Sequence, residues 1–332
     1  MNKLIVAGDI GGTKTLLQLL ETDGAQWHSL YQQRYSSADY ADFNTLFADF
    51  IRDAHALIKN QTIKSVCLGI AGPVNHRTAQ VTNLLWLIDA DDLQNQFNIA
   101  RVELINDFAA TGYGIDMLHQ HDFHVLQTGN TVEKATRVVI GAGTGLGEGY
   151  LVWQNGQYVP LPSEGGHVDF APANELQIDL LRFLQKRFGH VSYERVVSGM
   201  GLVNIFDFVA SNRQPSVALR HELSIGTDSA AIIAEFAWQK KDAVAEQALD
   251  IFVECYGAQA GNLALTCLAR GGVYIAGGIA PKMIQRLSQG DFMQAFCDKG
   301  RFRSLMESLP VKIVLSADVG LQGAIRVAMQ QC

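Results

Sequence analysis

The sequence lacks the features of secreted, disulfide-bonded and membrane-spanning proteins. Its 332 residues include five cysteines, an odd number, widely spaced and without a C-x-x-C pair, which argues against a disulfide framework and a zinc cluster. Its longest apolar runs, such as 4–7 and 84–88, fall far short of the roughly 20 residues that a membrane span needs, and no long apolar signal core opens the chain. These absences predict a cytoplasmic protein that does not enter a membrane.

Basic charge is also scarce. The 26 Lys and Arg residues stand against 33 Asp and Glu residues, for a formal net charge of -7, so no basic surplus is present to neutralise a phosphodiester backbone. This composition argues against a nucleic-acid partner. With 48% hydrophobic and 18% charged residues, the chain is predicted to be globular with a large core, and its length predicts two domains.

An internal repeat organises the chain. A short apolar run at 4–7 precedes a glycine-containing loop at 8–13, a second apolar run at 16–20 and the turn Asp23-Gly24. About 133 positions later the same layout recurs as the runs 138–140 and 150–153, the loop 141–145 and the turn Asn155-Gly156. Asp-Gly and Asn-Gly are strong hairpin signals because both tolerate positive φ. Each glycine loop is therefore predicted to join two antiparallel strands, at equivalent places in two halves of the molecule.

Hydrophobic periodicity predicts further helices and strands. Residues 43–58 keep the apolar spacing of an amphipathic helix. Other predicted helices lie near 175–188, 228–239, 243–268 and 320–329, and predicted strands at 66–71, 102–105, 273–276 and 311–315. Strands mixed with helices on this scale predict an α/β protein.

The glycine loops suit phosphate groups. Successive backbone N–H groups in such a loop form a concave donor surface that phosphate oxygens can approach closely; a simple tight turn explains one such loop equally well. The first loop is not a Walker A motif, since Thr13 replaces the second glycine, and the second is not a dinucleotide fingerprint, since Leu146 replaces the third. A third glycine pair, Gly277-Gly278, follows a β-branched run and precedes Pro281, and close backbone approach there suits an adenine or ribose.

Six segments together resemble a known family. The stretches 8–13, 141–147 and 276–279 are similar to the phosphate 1, phosphate 2 and adenosine motifs of the actin-like sugar kinase superfamily. Between them, 105–108, 164–170 and 194–196 resemble the sugar-binding segments of bacterial glucokinases. No cysteine-rich zinc motif follows His167, which separates the chain from the ROK branch. The pattern departs from some relatives at Gly72 and at 83–86, so the rim of the sugar pocket is expected to differ.

The resemblance implies an architecture and an activity. It implies an α/β fold of two actin-like (ribonuclease H-like) domains with mixed sheets flanking a cleft, a small one at 1–111 plus 312–332 and a large one at 112–311. The implied activity is transfer of phosphate from Mg-ATP to the 6-hydroxyl of glucose, or alternatively of another hexose such as mannose or N-acetylglucosamine. Implied partners are glucose, ATP, Mg²⁺ and a second copy of the chain in a homodimer.

The resemblance also assigns roles to individual residues. Asp107 is implied to be the catalytic base, and Asp9 to face Mg²⁺. The implied sugar-binding residues are Asn106, Asp107, Glu164, His167 and Glu194, and the implied ATP-binding residues are Gly8, Asp9, Ile10, Gly11, Gly12, Thr13, Lys14, Gly143, Thr144, Gly145, Gly277 and Gly278.

Position alone leaves simpler interpretations open. Asp107 precedes a predicted helix and could be its N-cap, and Asp9 could cap its own turn. Glu164 and His167 could be ordinary loop residues, and Glu194 a solvated helix charge. A run of three histidines at 119–124 could chelate a metal, but a solvated loop or helix end is favoured.

Rival functions lack their characteristic segments. A sugar-responsive repressor would need a DNA-binding segment, for which the first glycine loop, starting at Gly8, leaves no room. A simple ATPase or an acyl-phosphate-forming kinase of the same superfamily would share the phosphate loops but would have no reason to carry the sugar-binding set.

Overall fold

The computed structural model of the protein describes residues 2–58 and 61–332. The strands are β1 (Lys3–Ile10), β2 (Lys14–Thr22), β3 (Trp27–Ser36), β4 (Ile63–Ile70), β5 (Val74–Asn75), β6 (Thr78–Gln80), β7 (Leu87–Asp89), β8 (Arg101–Asn106), β9 (Phe123–Gln127), β10 (Arg137–Ala142), β11 (Leu146–Gln154), β12 (Gln157–Leu161), β13 (Gly272–Ala276) and β14 (Val311–Val314). The α-helices are α1 (Phe43–Ile58), α2 (Ala90–Phe97), α3 (Asp107–Gly114), α4 (Glu175–Phe188), α5 (Gly199–Ala210), α6 (Val217–Ile225), α7 (Ser229–Trp238), α8 (Ala243–Cys267), α9 (Ile284–Leu287), α10 (Asp291–Cys297), α11 (Arg303–Glu307) and α12 (Val319–Gln330). In this described part of the chain, no helix has the length and apolar character to cross a membrane.

The chain divides into two compact units. Unit 1 comprises 1–120, 158–162 and 316–332, and unit 2 comprises 121–157 and 163–315. The domain boundaries expected from the sequence lie near these limits without matching them, and the domain assignment stays a prediction.

Unit 1 is built on a sheet whose central strands are buried on both faces. The strand order is β3-β2-β1-β4-β8, with β2 antiparallel to β1, and β4 parallel to β1. Along β1, Leu4 and Val6 point into a core shared with α1, while Ile5 and Ala7 pack with α12. Because side chains alternate along a strand, the row of Ile5 and Ala7 continues to Asp9. A carboxylate thus ends an otherwise apolar row.

Unit 2 repeats this arrangement. In its part of the six-stranded sheet the order is β11-β10-β13-β14-β9, with β11 antiparallel to β10 and β13 parallel to it. The long helix α8 lies in the unit's main core, with most of its residues buried. The α/β class with two mixed sheets, the two hairpins, the amphipathic helix at 43–58 and the other predicted helices and strands are confirmed.

The first glycine loop is shorter than expected. Gly8, Asp9 and Ile10 belong to β1 and pair with β2, so only 11–13 form the turn. The reason is packing: Gly8 fits between the side chains of Leu17 and Leu68, each 2.7 Å from where its Cβ would lie, and Ile10 is fully buried.

Candidate active site

The turn after β1 is held rigidly. The Gly11 amide donates to the Lys14 carbonyl (2.9 Å), and Ser37 bonds the turn twice, through its hydroxyl to the Gly11 carbonyl (2.8 Å) and its amide to the Thr13 carbonyl (3.0 Å). A Cβ at Gly12 would lie 2.7 Å from the Thr82 carbonyl oxygen, so glycine is required there. Sequence reasoning missed Ser37, because nothing in a single serine signals that it braces a turn 26 positions away.

Two carboxylates of unit 1 act on a third, that of Asp9, near this turn. Burial, followed by the charges of Asp107 and Asp318, raises the pKa of Asp9 to about 6, while Arg34 opposes the shift. Register explains the position of Arg34, since Asp9 pairs with Leu16 and Leu16 pairs with Arg34 on β3. Within 2–58 and 61–332, no group of three or more His, Cys, Asp or Glu side chains is arranged to hold a metal ion. Any cation here would therefore depend on further oxygen ligands, such as those of a nucleotide.

The segment that joins β8 to α3 places Asn106 and Asp107. Asn106 is the N-cap of α3: its Oδ1 accepts from the Phe108 and Ala109 amides (2.9 and 3.3 Å). Its Nδ2 donates to the Gly72 carbonyl (3.2 Å). The interpretation of Asp107 as the cap is thus wrong by one position, because Asp107 is the first residue of the helix. Asp107 is half-buried, with its carboxylate in the first turn, where the helix dipole favours negative charge.

Close helix packing keeps α3 beside β1 and α12. A Cβ at Gly323 would lie 1.8 Å from the Ala110 carbonyl oxygen, and one at Gly114 would lie 2.0 Å from that of Val319. The same packing brings Gly320, in the first turn of α12, close to Asp9, since a Cβ there would lie 3.9 Å from Oδ1. The glycines therefore fix the distance between the helix that begins at Asp107 and the strand that carries Asp9.

The turn after β10 in unit 2 is bracketed by the segment 194–199. The Gly199 amide donates to the Gly143 carbonyl (2.8 Å), and the Leu146 amide donates to Oε2 of Glu194 (3.0 Å). A Cβ at Gly145 would lie 2.5 Å from that same oxygen. Among the described residues, no atom lies within 4 Å of a Cβ placed at Gly143. The turn therefore presents open backbone at its tip, and Thr144 is exposed there.

The glycine pair after β13 adjoins this turn. Gly277 has φ +81°, a left-handed conformation that favours glycine, and a Cβ there would lie 2.5 Å from the Ala142 carbonyl oxygen. The Ile279 amide donates to that same carbonyl (3.2 Å). Gly278 is exposed, with no described atom within 4 Å of a Cβ position. Two backbone surfaces that could accept a nucleotide thus lie side by side in unit 2.

The segment 164–170 carries polar groups into solvent. Glu164 and His167 are exposed, and their Oε2 and Nε2 atoms are 4.0 Å apart. One group that sequence reasoning missed lies beside them: His190 contacts the His167 carbonyl oxygen through Nε2 (3.2 Å) and Oδ1 of Asp169, in the same segment, through Nδ1 (3.2 Å). These acceptors and donors are the inventory that sugar hydroxyls require.

The structure thus brings several of the predicted site residues together in two sets. Unit 1 brings together Asp9, the 11–13 turn, Asn106 and Asp107, and unit 2 brings together the 143–145 turn, Gly277-Gly278 and Glu194. Gly8 and Ile10 lie buried in β1 and contribute backbone only. The histidine-rich segment forms a short 3₁₀ turn (Gln120–Asp122) and then enters β9. A loop or helix end was expected throughout, but His124 lies in a strand.

Comparison with known proteins identifies the family. A family model described as glucokinase matches residues 6–331. The glucokinase of Nostoc punctiforme is 45% identical over 97% of this chain and 97% of its own length.

Solved structures agree. The crystal structure of a glucokinase from an Antarctic psychrotroph has a TM-score of 0.84 at 29% identity, covering 99% of each chain. A ROK family glucokinase from Streptomyces griseus, covering 98% of this chain and 99% of its own, has a TM-score of 0.66 at 20% identity, which shows a shared fold only. The chain belongs to the glucokinase family, distinct from ROK, and is an ATP-dependent hexose kinase.

Proposed function

We propose that Asp107 is the general base of this kinase and removes the proton of the glucose 6-hydroxyl as that oxygen attacks the γ-phosphorus of ATP and ADP leaves with the bridging oxygen. The observation that carries this proposal is the half-buried carboxylate at the first position of α3, next to Asp9 and the turn of β1. The helix N-terminus favours the ionised form of Asp107, and an ionised carboxylate can accept a proton from an alcohol. Alignment of the hydroxyl with the phosphate supplies most of the remaining rate enhancement.

The sugar is proposed to be held by Asn106, Glu164, His167 and Glu194. Glu194 binds the Leu146 amide through Oε2, and its other oxygen is proposed to accept a hydroxyl hydrogen. Exposed Glu164 and His167 offer an acceptor and a donor whose spacing of 4.0 Å suits neighbouring hydroxyls.

The open backbone at Gly143 and Gly278 fits ATP, because phosphate and ribose can approach where no Cβ stands. Asp9 fits Mg²⁺, which prefers oxygen ligands and keeps several waters. Asp9 would supply one carboxylate, and ATP oxygens would complete the site. Bound Mg²⁺ supplies charge neutralisation at the transferring phosphoryl group. Asp9 would orient this ion through its carboxylate, and the loop amides would hold the phosphates.

The variant Asp107→Asn tests the proposal. It should retain glucose binding and lower kcat on the order of 100- to 10,000-fold, the contribution of a general base. Asp318→Asn is the matched control, because it removes a neighbouring carboxylate that has no proposed role in proton transfer, and kcat should stay near the wild-type value. A near-normal kcat in Asp107→Asn would remove Asp107 from the mechanism.

A substrate panel tests the choice of sugar. Phosphate transfer to glucose, mannose, fructose and N-acetylglucosamine should give the highest kcat/KM with glucose. The family resemblance also predicts a homodimer, which the mass of the purified protein in light scattering tests.

A further inference from the structure

A carboxyl group is buried in the second sheet without a role in the reaction. Glu148 lies on β11, opposite Ile140 of β10, and is only 3% exposed. Burying a carboxyl group is costly unless a hydrogen bond compensates. Gln259 of α8 provides one, since its Nε2 donates to Oε1 of Glu148 at 2.8 Å.

The hydrogen bond belongs to a chain of buried and half-buried polar groups. Asn262, one turn further along α8, donates through Nδ2 to Oε1 of Gln259 (3.3 Å) and to the hydroxyl of Tyr193 (3.0 Å). Tyr193 directly precedes Glu194. At one end, the polar chain that starts at Glu148 therefore supports the segment that carries Glu194.

The other carboxyl oxygen of Glu148 faces the second sugar-binding segment. A Cβ at Gly165 would lie 2.2 Å from Oε2 of Glu148, and a Cβ at Gly166 would lie 2.0 Å from the Leu146 carbonyl oxygen. The short helical turn Gly165–His167 therefore rests directly on β11, with two glycines at the contact. Glu148 thus lies between the segments that carry Glu194 and His167.

We propose that Glu148 is a positioning residue: its buried carboxyl group, held by Gln259 and packed against Gly165, fixes the segments that carry Glu164, His167 and Glu194 for hexose binding. The proposal rests on the function proposed above, in which those side chains hold the sugar. Glu148 itself acts through the backbone that it supports.

The charge of Glu148 makes the KM for glucose depend on pH. Burial raises the pKa of Glu148 to about 7, although the Gln259 hydrogen bond opposes the shift. The titratable groups that face it are Tyr150, Tyr193 and Tyr256. Burial raises the pKa of each of these tyrosines, so they stay neutral around pH 7. Above that pH Glu148 becomes a buried anion facing neutral groups, which disfavours the packed arrangement at Gly165, so the KM for glucose should rise.

The test compares Glu148→Ala and Glu148→Gln in the full chain. Glu148→Ala should raise the KM for glucose roughly 10-fold, as expected when a buried donor loses its acceptor, with a much smaller change in the KM for ATP. Glu148→Gln keeps the shape and the acceptor for Gln259 without a charge. At pH 6 its KM for glucose should match the wild type, and it should lose the rise of KM through pH 7.

The control is Leu249→Ala, a buried position on the same helix α8. It should lower the melting temperature and leave the KM for glucose unchanged. A second check is the pair Gly165→Ala and Glu148→Ala: because both act at one contact, their effects on the KM for glucose should be less than additive in the double variant.

Three results would overturn the proposal. They are a KM for glucose in Glu148→Ala no higher than in Leu249→Ala, parallel pH profiles of the KM in the wild type and Glu148→Gln, or full additivity in the double variant. Failure of the proposed function is detected separately, because Asp107→Asn and His167→Ala report on it without touching Glu148.

Discussion

The carboxylate of Glu194 accepts a hydrogen bond from the backbone amide of Leu146, with 3.0 Å between Oε2 and the nitrogen. Leu146 follows the 143–145 turn. The segment 194–199, which carries Glu194, makes a second hydrogen bond to the turn, from the Gly199 amide to the Gly143 carbonyl (2.8 Å). A residue proposed to hold the sugar thus also holds the loop proposed to hold the phosphates. Sugar and nucleotide affinity should therefore depend on each other through Glu194.

Replacing Glu194 should weaken both substrates. In Glu194→Ala the Leu146 amide loses its acceptor, so we expect the KM for ATP as well as the KM for glucose to rise, each roughly 10-fold. His167→Ala is the comparison, since His167 contacts Glu164 and His190 rather than the turn and should raise the KM for glucose alone. Steady-state kinetics with each substrate varied in turn measures both values. An unchanged KM for ATP in Glu194→Ala would contradict the link.

The N-cap of α3 can be separated from sugar binding. Asn106→Ala removes the cap and should destabilise the protein by about 1 kcal/mol, a fall in melting temperature of about 1–2 °C. Asn106→Ser keeps a capping oxygen and should melt closer to the wild type. Both variants lose the side-chain amide and should bind glucose more weakly. If the two variants melt at the same temperature, the cap does not contribute as described.

The crossing of α3 and α12 should tolerate no side chain at Gly323. In Gly323→Ala the new methyl would collide with the Ala110 carbonyl oxygen, and such overpacking typically costs about 1–3 kcal/mol. Because α3 begins at Asp107, kcat should fall as well. Gly320→Ala is the matched control on the same helix, where the nearest atoms lie at an ordinary 3.9 Å. Urea denaturation of both variants checks this, and equal stabilities would contradict the packing argument.

Mg²⁺ dependence should shift when Asp9 is neutralised. Asp9→Asn keeps the size of the side chain and removes the charge, so half-maximal activity should need more Mg²⁺. The titration belongs at pH 8, above the pKa of about 6, where wild-type Asp9 is ionised. Asp23→Asn, in the exposed turn between β2 and β3, should leave the Mg²⁺ requirement unchanged. Identical Mg²⁺ curves for the wild type and Asp9→Asn would exclude Asp9 as a contact to the ion.

The raised pKa of Glu148 predicts a pH-dependent stability. Its pKa is about 7 in the folded protein against an ordinary 4.5, so between these values the folded state binds the proton more tightly than the unfolded state. The contribution of Glu148 to the free energy of unfolding is therefore complete below about pH 4.5 and is lost as the pH rises to about 7. The loss is on the order of 3 kcal/mol at most. The difference in unfolding free energy between the wild type and Glu148→Gln, followed by urea denaturation from pH 4.5 to 8, should fall accordingly. A constant difference would contradict the assignment.

Periodicity and turn chemistry were enough to predict most of the fold. The helix at 43–58 follows from its apolar spacing, and the hairpins β1–β2 and β10–β11 follow from the glycine loops that separate paired apolar runs. The strand β3 was missed because its ten residues are largely polar and half-exposed, and backbone hydrogen bonds to β2 hold it in place. The helix α5 was missed because Gly199 and Gly201 lower helix propensity, and the Ser198 cap compensates.

The candidate site was harder to predict from the sequence than the fold. The glycine turns and Asp107 stand in recognisable motifs, yet position alone offered Asp107 as the N-cap of α3, a role that Asn106 has. Glu148 looked like one polar residue in a strand, because its burial and its Gln259 partner, 111 positions away, exist only once β11 packs on α8. A single sequence carries no local signal for such a pairing.

The helix that covers one face of the first sheet is the last part of unit 1 to leave the ribosome. Ile5, Ala7 and Leu20 are packed against α12, which is synthesised only after the whole of unit 2. During translation this apolar surface stays uncovered for nearly the full length of the chain, and exposed surface of this kind invites aggregation or chaperone binding. The nascent chain therefore passes through a long vulnerable stage that ends only when α12 docks.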